Sequence, residues 1–195
     1  VYLVFGDTSS NMNDDYDLSD LVSDSVGSTI DGENAGDYFG FSIENISSFI
    51  GGDSLPEFLI GAPGYDNSSD TYAGIVYLIT SCDDSSSACG SYKGKGISSD
   101  ISDAAFGSFV GENASDHTGF SLAGIGSIYG TGYAEILIGA IGANSGAGEV
   151  YLFHAKGTST GYSGSNSLSL ANAFYTGDSS SNIGRSIYGG MDSDG

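Results

Sequence analysis

Basic residues are nearly missing from this 195-residue chain, where four Lys and Arg stand against 25 Asp and Glu for a formal net charge of −21. A surface of that sign repels phosphate, which argues against nucleic acid and anionic membrane surfaces as partners. It leaves cations as the natural counterpart, or simple solubility as the purpose of the charge. No stretch approaches the roughly 18 consecutive apolar residues of a membrane span. The opening Val1-Tyr2-Leu3-Val4-Phe5-Gly6 carries none of the basic residues of a signal peptide and reads as a strand. With no initiator Met and an end at Asp192-Ser193-Asp194-Gly195, the sequence reads as a segment of something longer. Only two histidines occur, His117 and His154, and only two cysteines, Cys82 and Cys89, with no histidine beside them. Two thiols alone do not complete a structural zinc site. A small disulfide-closed loop around the Asp/Ser-rich stretch 83–88 is the simpler reading, and it favours an oxidising, extracellular compartment. No window holds a sustained helical period, and 32 glycines would penalise a helix-rich fold.

What the chain does contain is enough apolar material for a core, 39% hydrophobic and 12% aromatic residues, arranged in a repeat. Gly74-Ile75-Val76-Tyr77-Leu78-Ile79 returns as Gly148-Glu149-Val150-Tyr151-Leu152-Phe153, and Val1-Tyr2-Leu3-Val4-Phe5 opens the chain with the same pattern. Phe58-Leu59-Ile60-Gly61-Ala62-Pro63 returns as Ile136-Leu137-Ile138-Gly139-Ala140. A third series runs Phe39-Gly40-Phe41-Ser42-Ile43, Thr118-Gly119-Phe120-Ser121-Leu122 and Ile183-Gly184-Arg185-Ser186-Ile187. Order is kept within each unit. The runs at 58–60 and 136–138 are continuously apolar, as strands buried on both faces are, and the Val-Tyr-Leu runs mix β-branched and aromatic residues. Strands are predicted near 39–45, 57–62, 74–80, 118–124, 135–140 and 148–154.

The succession Gly36-Asp37-Tyr38-Phe39-Gly40-Phe41-Ser42-Ile43, Phe58-Leu59-Ile60-Gly61-Ala62-Pro63 and Gly74-Ile75-Val76-Tyr77-Leu78 resembles an FG-GAP repeat of the integrin-α β-propeller family. The second unit is similar but has Ile141 where Pro would stand, and a third is entered at Gly184. The resemblance implies an all-β fold of propeller blades, each a four-stranded antiparallel sheet. It divides the chain into a partial blade at 1–30, blades at 31–100 and 101–170, and a partial blade at 171–195, with glycines where inner strands crowd the propeller axis. It also implies a Ca²⁺ loop before the Ile-Gly-Ala-Pro strand, with Asp or Asn at alternate positions, because a tight turn converges every second side-chain oxygen on a hard cation. Asp192 and Asp194 fit as ligands, although Gly190 occupies the expected first position. The first loop keeps only Asp53 and Glu57, and the second, 126–135, has lost nearly every carboxylate.

Three sequons, at Asn45, Asn67 and Asn113, mark glycosylation acceptors if the source glycosylates. The acidic insertion from Asn11 to Asp17 reads as a solvated loop. Gly-Phe-Ser at 40–42 and 119–121 lacks the second glycine of a nucleophile elbow, and a nucleophile would not recur once per structural unit. His154 closes a strand, and no pair of carboxylates stands out for glycoside hydrolysis. The expectation is a non-enzymatic extracellular adhesion or recognition module that binds proteins or glycans at the cell surface. The alternatives are a structural subunit of a surface layer or filament built from copies of itself, and a glycan-processing enzyme. The surface missing from incomplete blades is expected to come from more polypeptide or from adjacent copies.

Overall fold

A computed structural model describes residues 1–4, 17–20, 27–50, 56–80, 98–157, 161–179 and 181–190. They form three sheets and almost no helix. Twelve strands follow in order: β1 (Tyr2–Val4), β2 (Gly27–Asp31), β3 (Ser42–Ser47), β4 (Pro56–Ala62), β5 (Ile75–Thr80), β6 (Ser98–Asp100), β7 (Gly107–Val110), β8 (Thr118–Gly124), β9 (Ile136–Ala140), β10 (Glu149–Phe153), β11 (Gly164–Ser167) and β12 (Ala173–Thr176). The sheets are β1-β2-β6, β11-β7-β5-β4-β3 and β12-β10-β9-β8.

The sequence repeat is a repeat of strand register. β3-β4-β5-β7 and β8-β9-β10-β12 are both four-stranded antiparallel meanders. Gly61 faces Ser42 and Val76 in the first as Gly139 faces Ser121 and Val150 in the second. Five of the six predicted strands begin and end within a residue or so of those observed. The exception is 39–45, which starts only at Ser42. Tyr38 (φ 57°) and Gly40 (φ 89°) turn the chain through the left-handed region first, and strand geometry cannot pass through it.

Continuous apolar runs have their expected cause in the middle sheet. Along β5, Ile75, Tyr77 and Ile79 enter a core shared with Ile30, Ile60 and Ile101, while Val76 and Leu78 point the other way into a core with Phe109, Ile136, Ile138 and Phe153. Both faces are covered, so alternation has no polar partner, and each buried side chain contributes roughly 1.5–3 kcal/mol.

Neighbouring sheets also exchange strands. β6, on the connection between β5 and β7, pairs in parallel with β2; β11, on the equivalent connection between β10 and β12, pairs in parallel with β7. Each is followed by a single turn, the helix α1 (Ile101–Ala104) or a 3₁₀ turn (Leu168–Leu170), whose first side chain is fully buried.

Candidate functional site

The turn that opens each meander is built three times. Tyr38, His117 and Asn182 have φ of 57°, 52° and 50°, and the glycines two residues on, Gly40, Gly119 and Gly184, have φ of 89°, 84° and 84°. A backbone hydrogen bond closes each, from Phe41 N to Tyr38 O (3.0 Å), Phe120 N to His117 O (3.2 Å) and Arg185 N to Asn182 O (3.3 Å). The serine that follows holds the sheets together: Ser42 Oγ donates to the Gly119 carbonyl and Ser121 Oγ to the Gly184 carbonyl, both at 2.6 Å. These hydroxyls are engaged with main-chain acceptors, which is structural chemistry.

Repetition of this turn brings equivalent connections to one end of the sheets, and there the units differ. The β4–β5 connection has twelve residues, 63–74, and the β9–β10 connection eight, 141–148. The longer one folds against the next turn, with Ser115 N bonded to Thr71 O (2.8 Å), His117 N to Tyr72 O (3.0 Å), and the Tyr72 and His117 rings 5.7 Å apart. The shorter one leaves a cleft of about 680 Å³ between residues 113–117, the tight turn Ala143–Gly146 and Asn182.

Strain concentrates at this cleft. Among the described residues nine other than glycine have positive φ, and five of them, Ser115, His117, Asn144, Ser145 and Asn182, line it. Residues held in that region cost of order 1–3 kcal/mol each and gather where a surface serves a ligand. The lining combines the amides of Asn113, Asn144 and Asn182 and the hydroxyls of Ser115 and Ser145 with Asp116, His117 and the aliphatic Ala114 and Ile141, without Lys or Arg. Asp116, 3% exposed, accepts from Asn113 N (2.9 Å) and Asn113 Nδ2 (3.4 Å), fixing the turn. Burial pushes its carboxyl above the ordinary range, against the pull of those hydrogen bonds. His117 Nδ1 lies 3.2 Å from the Pro63 carbonyl, an acceptor only, so Nδ1 carries a proton.

The residues singled out in the sequence fall in several places. Cys82, Cys89, Asp53, Asp192 and Asp194 lie outside the described residues, as does the acidic insertion except Asp17. Asp17 is exposed and accepts from Ser19 N (2.9 Å), a bond that holds its carboxyl below the usual range. Asn45 is exposed on β3. Asn67 and Asp70 close a tight turn through reciprocal backbone bonds (3.0 and 2.7 Å), and Asn113 is exposed at the cleft.

Glu57 and Glu135, each 1% exposed, have a role that the sequence did not disclose. Each carboxylate accepts a backbone N–H from its own loop, Phe49 N to Glu57 (2.7 Å) and Ile128 N to Glu135 (2.8 Å). His154 Nδ1 stands 3.7 Å from Glu135 Oε1. The one carboxylate described in each of these two loops is directed at the loop backbone, and no group of three or more His, Cys, Asp or Glu that could hold a metal occurs among the described residues.

No family profile matches the chain. Integrin alpha-PS2 of Drosophila melanogaster is 30% identical over 132 residues, which cover 65% of this chain and 8% of that much longer protein. The chain is therefore similar, at a distance, to a short stretch of an integrin α subunit.

Proposed function

We propose that the chain is a non-enzymatic extracellular recognition module whose sheets are successive blades of an integrin-α-type propeller, and that the cleft between residues 113–117 and 141–146 takes a neutral, hydroxyl-rich ligand such as a cell-surface glycan. The clustering around one cleft of Ser115, Asn144 and Ser145, whose backbone is left-handed outside the turn that every unit repeats, carries this reading. Carboxamides and hydroxyls suit a ligand that both donates and accepts hydrogen bonds, and the absence of Lys and Arg from the lining, with a net charge of −21, disfavours an anionic one. The distant similarity to an integrin α subunit supports the adhesion class.

In this reading Cys82 and Cys89 form a disulfide, Asn45, Asn67 and Asn113 are glycan acceptors, and Asp192 and Asp194 serve Ca²⁺ in the third unit. The cleft is tested with Asn144→Gly and Ser145→Gly, which remove side chains while keeping left-handed backbone without strain. Binding to immobilised neutral glycans should fall at least about tenfold, equivalent to ~1.4 kcal/mol, with thermal stability retained, and sialylated glycans should bind neither the variants nor the wild type. Undiminished binding by the double variant would remove the cleft from the function.

A further inference from the structure

The turn that carries Asn113 has a twin in the preceding unit. Gly111-Glu112-Asn113-Ala114-Ser115-Asp116 repeats Gly32-Glu33-Asn34-Ala35-Gly36-Asp37 with one change, Ser115 for Gly36. Both turns close in the same way: Asn34 Nδ2 donates to Asp37 Oδ2 at 3.3 Å and Asn113 Nδ2 to Asp116 Oδ2 at 3.4 Å, and the aspartate carbonyls accept from Gly64 N and Gly142 N, each at 3.0 Å. Both aspartates are buried. The residue that differs is left-handed in both, Gly36 at φ 100° and Ser115 at φ 64°. Glycine takes that backbone freely, whereas a serine there is strained.

That one change makes a sequon. Asn34-Ala35-Gly36 lacks the hydroxyl that an acceptor tripeptide needs, and Asn113-Ala114-Ser115 has it. Asn113 and Ser115 are exposed and both line the cleft, whereas the sequon asparagines Asn45 and Asn67 do not. The Asn113 amide carries two hydrogens, of which the bond to Asp116 uses one. The other is open to replacement by a sugar, and the anchored amide would hold that sugar at the rim. At about 680 Å³ the cleft has the volume of a small-ligand site, and a lining without Lys or Arg suits neutral sugars.

We propose that Asn113 is N-glycosylated and that the neutral core sugars of its glycan fold back into this cleft, so that the modified chain has the cleft filled from within and only the unmodified chain has it open to a free glycan. The proposal rests on the reading of the cleft as a seat for a neutral, hydroxyl-rich ligand, and adds what controls access to it. In the modifying step, carried out by a transferase of the secretory pathway, Asn113 Nδ2 forms a bond to C1 of the first sugar of a lipid-diphosphate-linked oligosaccharide. The bond from C1 to the diphosphate oxygen breaks, the lipid diphosphate leaves, and the amide nitrogen gives up one proton to a base. A sugar on so short a tether acts at an effective concentration on the order of millimolar. A free glycan of equal affinity must exceed that concentration to displace it.

The test compares the chain secreted by a host that N-glycosylates with the same chain secreted by a host that does not, both carrying Asn45→Gln and Asn67→Gln so that Asn113 holds the one remaining sequon. Peptide mass mapping should find a glycan on Asn113 in the first product. Endoglycosidase should release that glycan at least about tenfold faster once Asn144→Gly and Ser145→Gly strip side chains from the facing wall of the folded protein. Immobilised neutral glycans should bind the unmodified product, and the glycosylated one at least about tenfold more weakly. Ser115→Gly, a copy of Gly36, should leave Asn113 bare in the glycosylating host and melt no lower than the unmodified parent, as expected if the serine serves the modification and not the fold. An Asn113 left bare in the parent, release that the cleft variant does not speed, or equal binding above background by the two products would each overturn the proposal while the reading of the cleft stands. Failure of both products to bind any neutral glycan, with release still accelerated, would instead remove the free ligand and uphold the self-filled cleft.

Discussion

Gly61→Ala tests the stacking of the sheets most directly. A Cβ at that position would lie 2.2 Å from the Gly119 carbonyl oxygen and 2.2 Å from Ser42 Oγ, the two atoms whose hydrogen bond ties one sheet to the next. The carbonyl is backbone in a repeated turn and has no rotamer to change. The sheets would have to part by about 1 Å, a gap that forfeits a quarter to a half of the dispersion well for the atoms involved. Overpacking of this kind costs about 1–3 kcal/mol, and loss of the Ser42 bond adds about 1 kcal/mol. Reduced freedom of the unfolded chain returns about 0.4–1 kcal/mol. A net loss of roughly 2–3 kcal/mol corresponds to a Tm lower by about 5–10 °C in a domain of this size. Gly139→Ala should behave alike, since its Cβ would lie 2.4 Å from the Gly184 carbonyl and 2.6 Å from Ser121 Oγ. Gly190→Ala, with nothing within 4 Å, is the control and should move stability by less than about 0.5 kcal/mol. Thermal melts followed by circular dichroism measure all three, and a Gly61→Ala protein melting with the control would refute the argument.

Other outcomes rest on buried groups. Glu135→Ala leaves Ile128 N without its acceptor and should cost about 1–3 kcal/mol in urea unfolding, with Glu57→Ala similar through Phe49 N. Asp116 has a folded-state pKa raised by burial, so its contribution is fully present below the unfolded value of about 3.9 and is lost as pH rises through the folded value. The Tm of Asp116→Asn relative to the wild type should therefore rise between acid and neutral pH, and a pH-independent difference would contradict the assignment. Tyr162 stacks on Phe49 at 5.4 Å and donates to the His154 carbonyl at 3.0 Å, and burial pushes its phenol up to about 12. Tyr162→Phe should cost about 1 kcal/mol and remove one late-titrating tyrosine from an alkaline absorbance titration, whereas Tyr162→Ala should cost about 3–5 kcal/mol.

The strands of the two meanders were legible because their apolar runs are set by burial on both faces, and burial is what hydrophobicity records. The parallel strands β6 and β11 were not. Ser98-Ser99-Asp100 and Gly164-Ser165-Asn166-Ser167 carry no β-branched or aromatic residue, and they are strands because a neighbouring edge needs partners. A signal did exist just after each of them, Ile101 with Ala104 and Leu168 with Ala171, an aliphatic anchor and an alanine at equal spacing. The cleft was hidden for another reason. It arises from a difference in length between two connections, which could have been counted, and from left-handed Asn144 and Ser145, which propensity does not reveal. Glu57 and Glu135 read as remnants of a cation loop, and only their burial shows the carboxylates turned onto backbone amides.

The exchange of β6 and β11 between sheets has a mechanical consequence. A pull that separates consecutive units does not meet apolar faces alone, because a strand of the later unit runs alongside β2 or β7 of the earlier one in parallel register, Thr29 to Asp31 with Ser98 to Asp100 and Gly107 to Val110 with Gly164 to Ser167. Tension along those strands loads the whole row of hydrogen bonds in shear, so that they must break together, whereas tension across them opens the row one bond at a time. The buried anchors Ile101 and Leu168 at the end of each exchanged strand resist the slip that shear would otherwise allow. A chain built in this way is stiff when pulled in one direction and yielding in the other, and its resistance under force depends on how it is tethered.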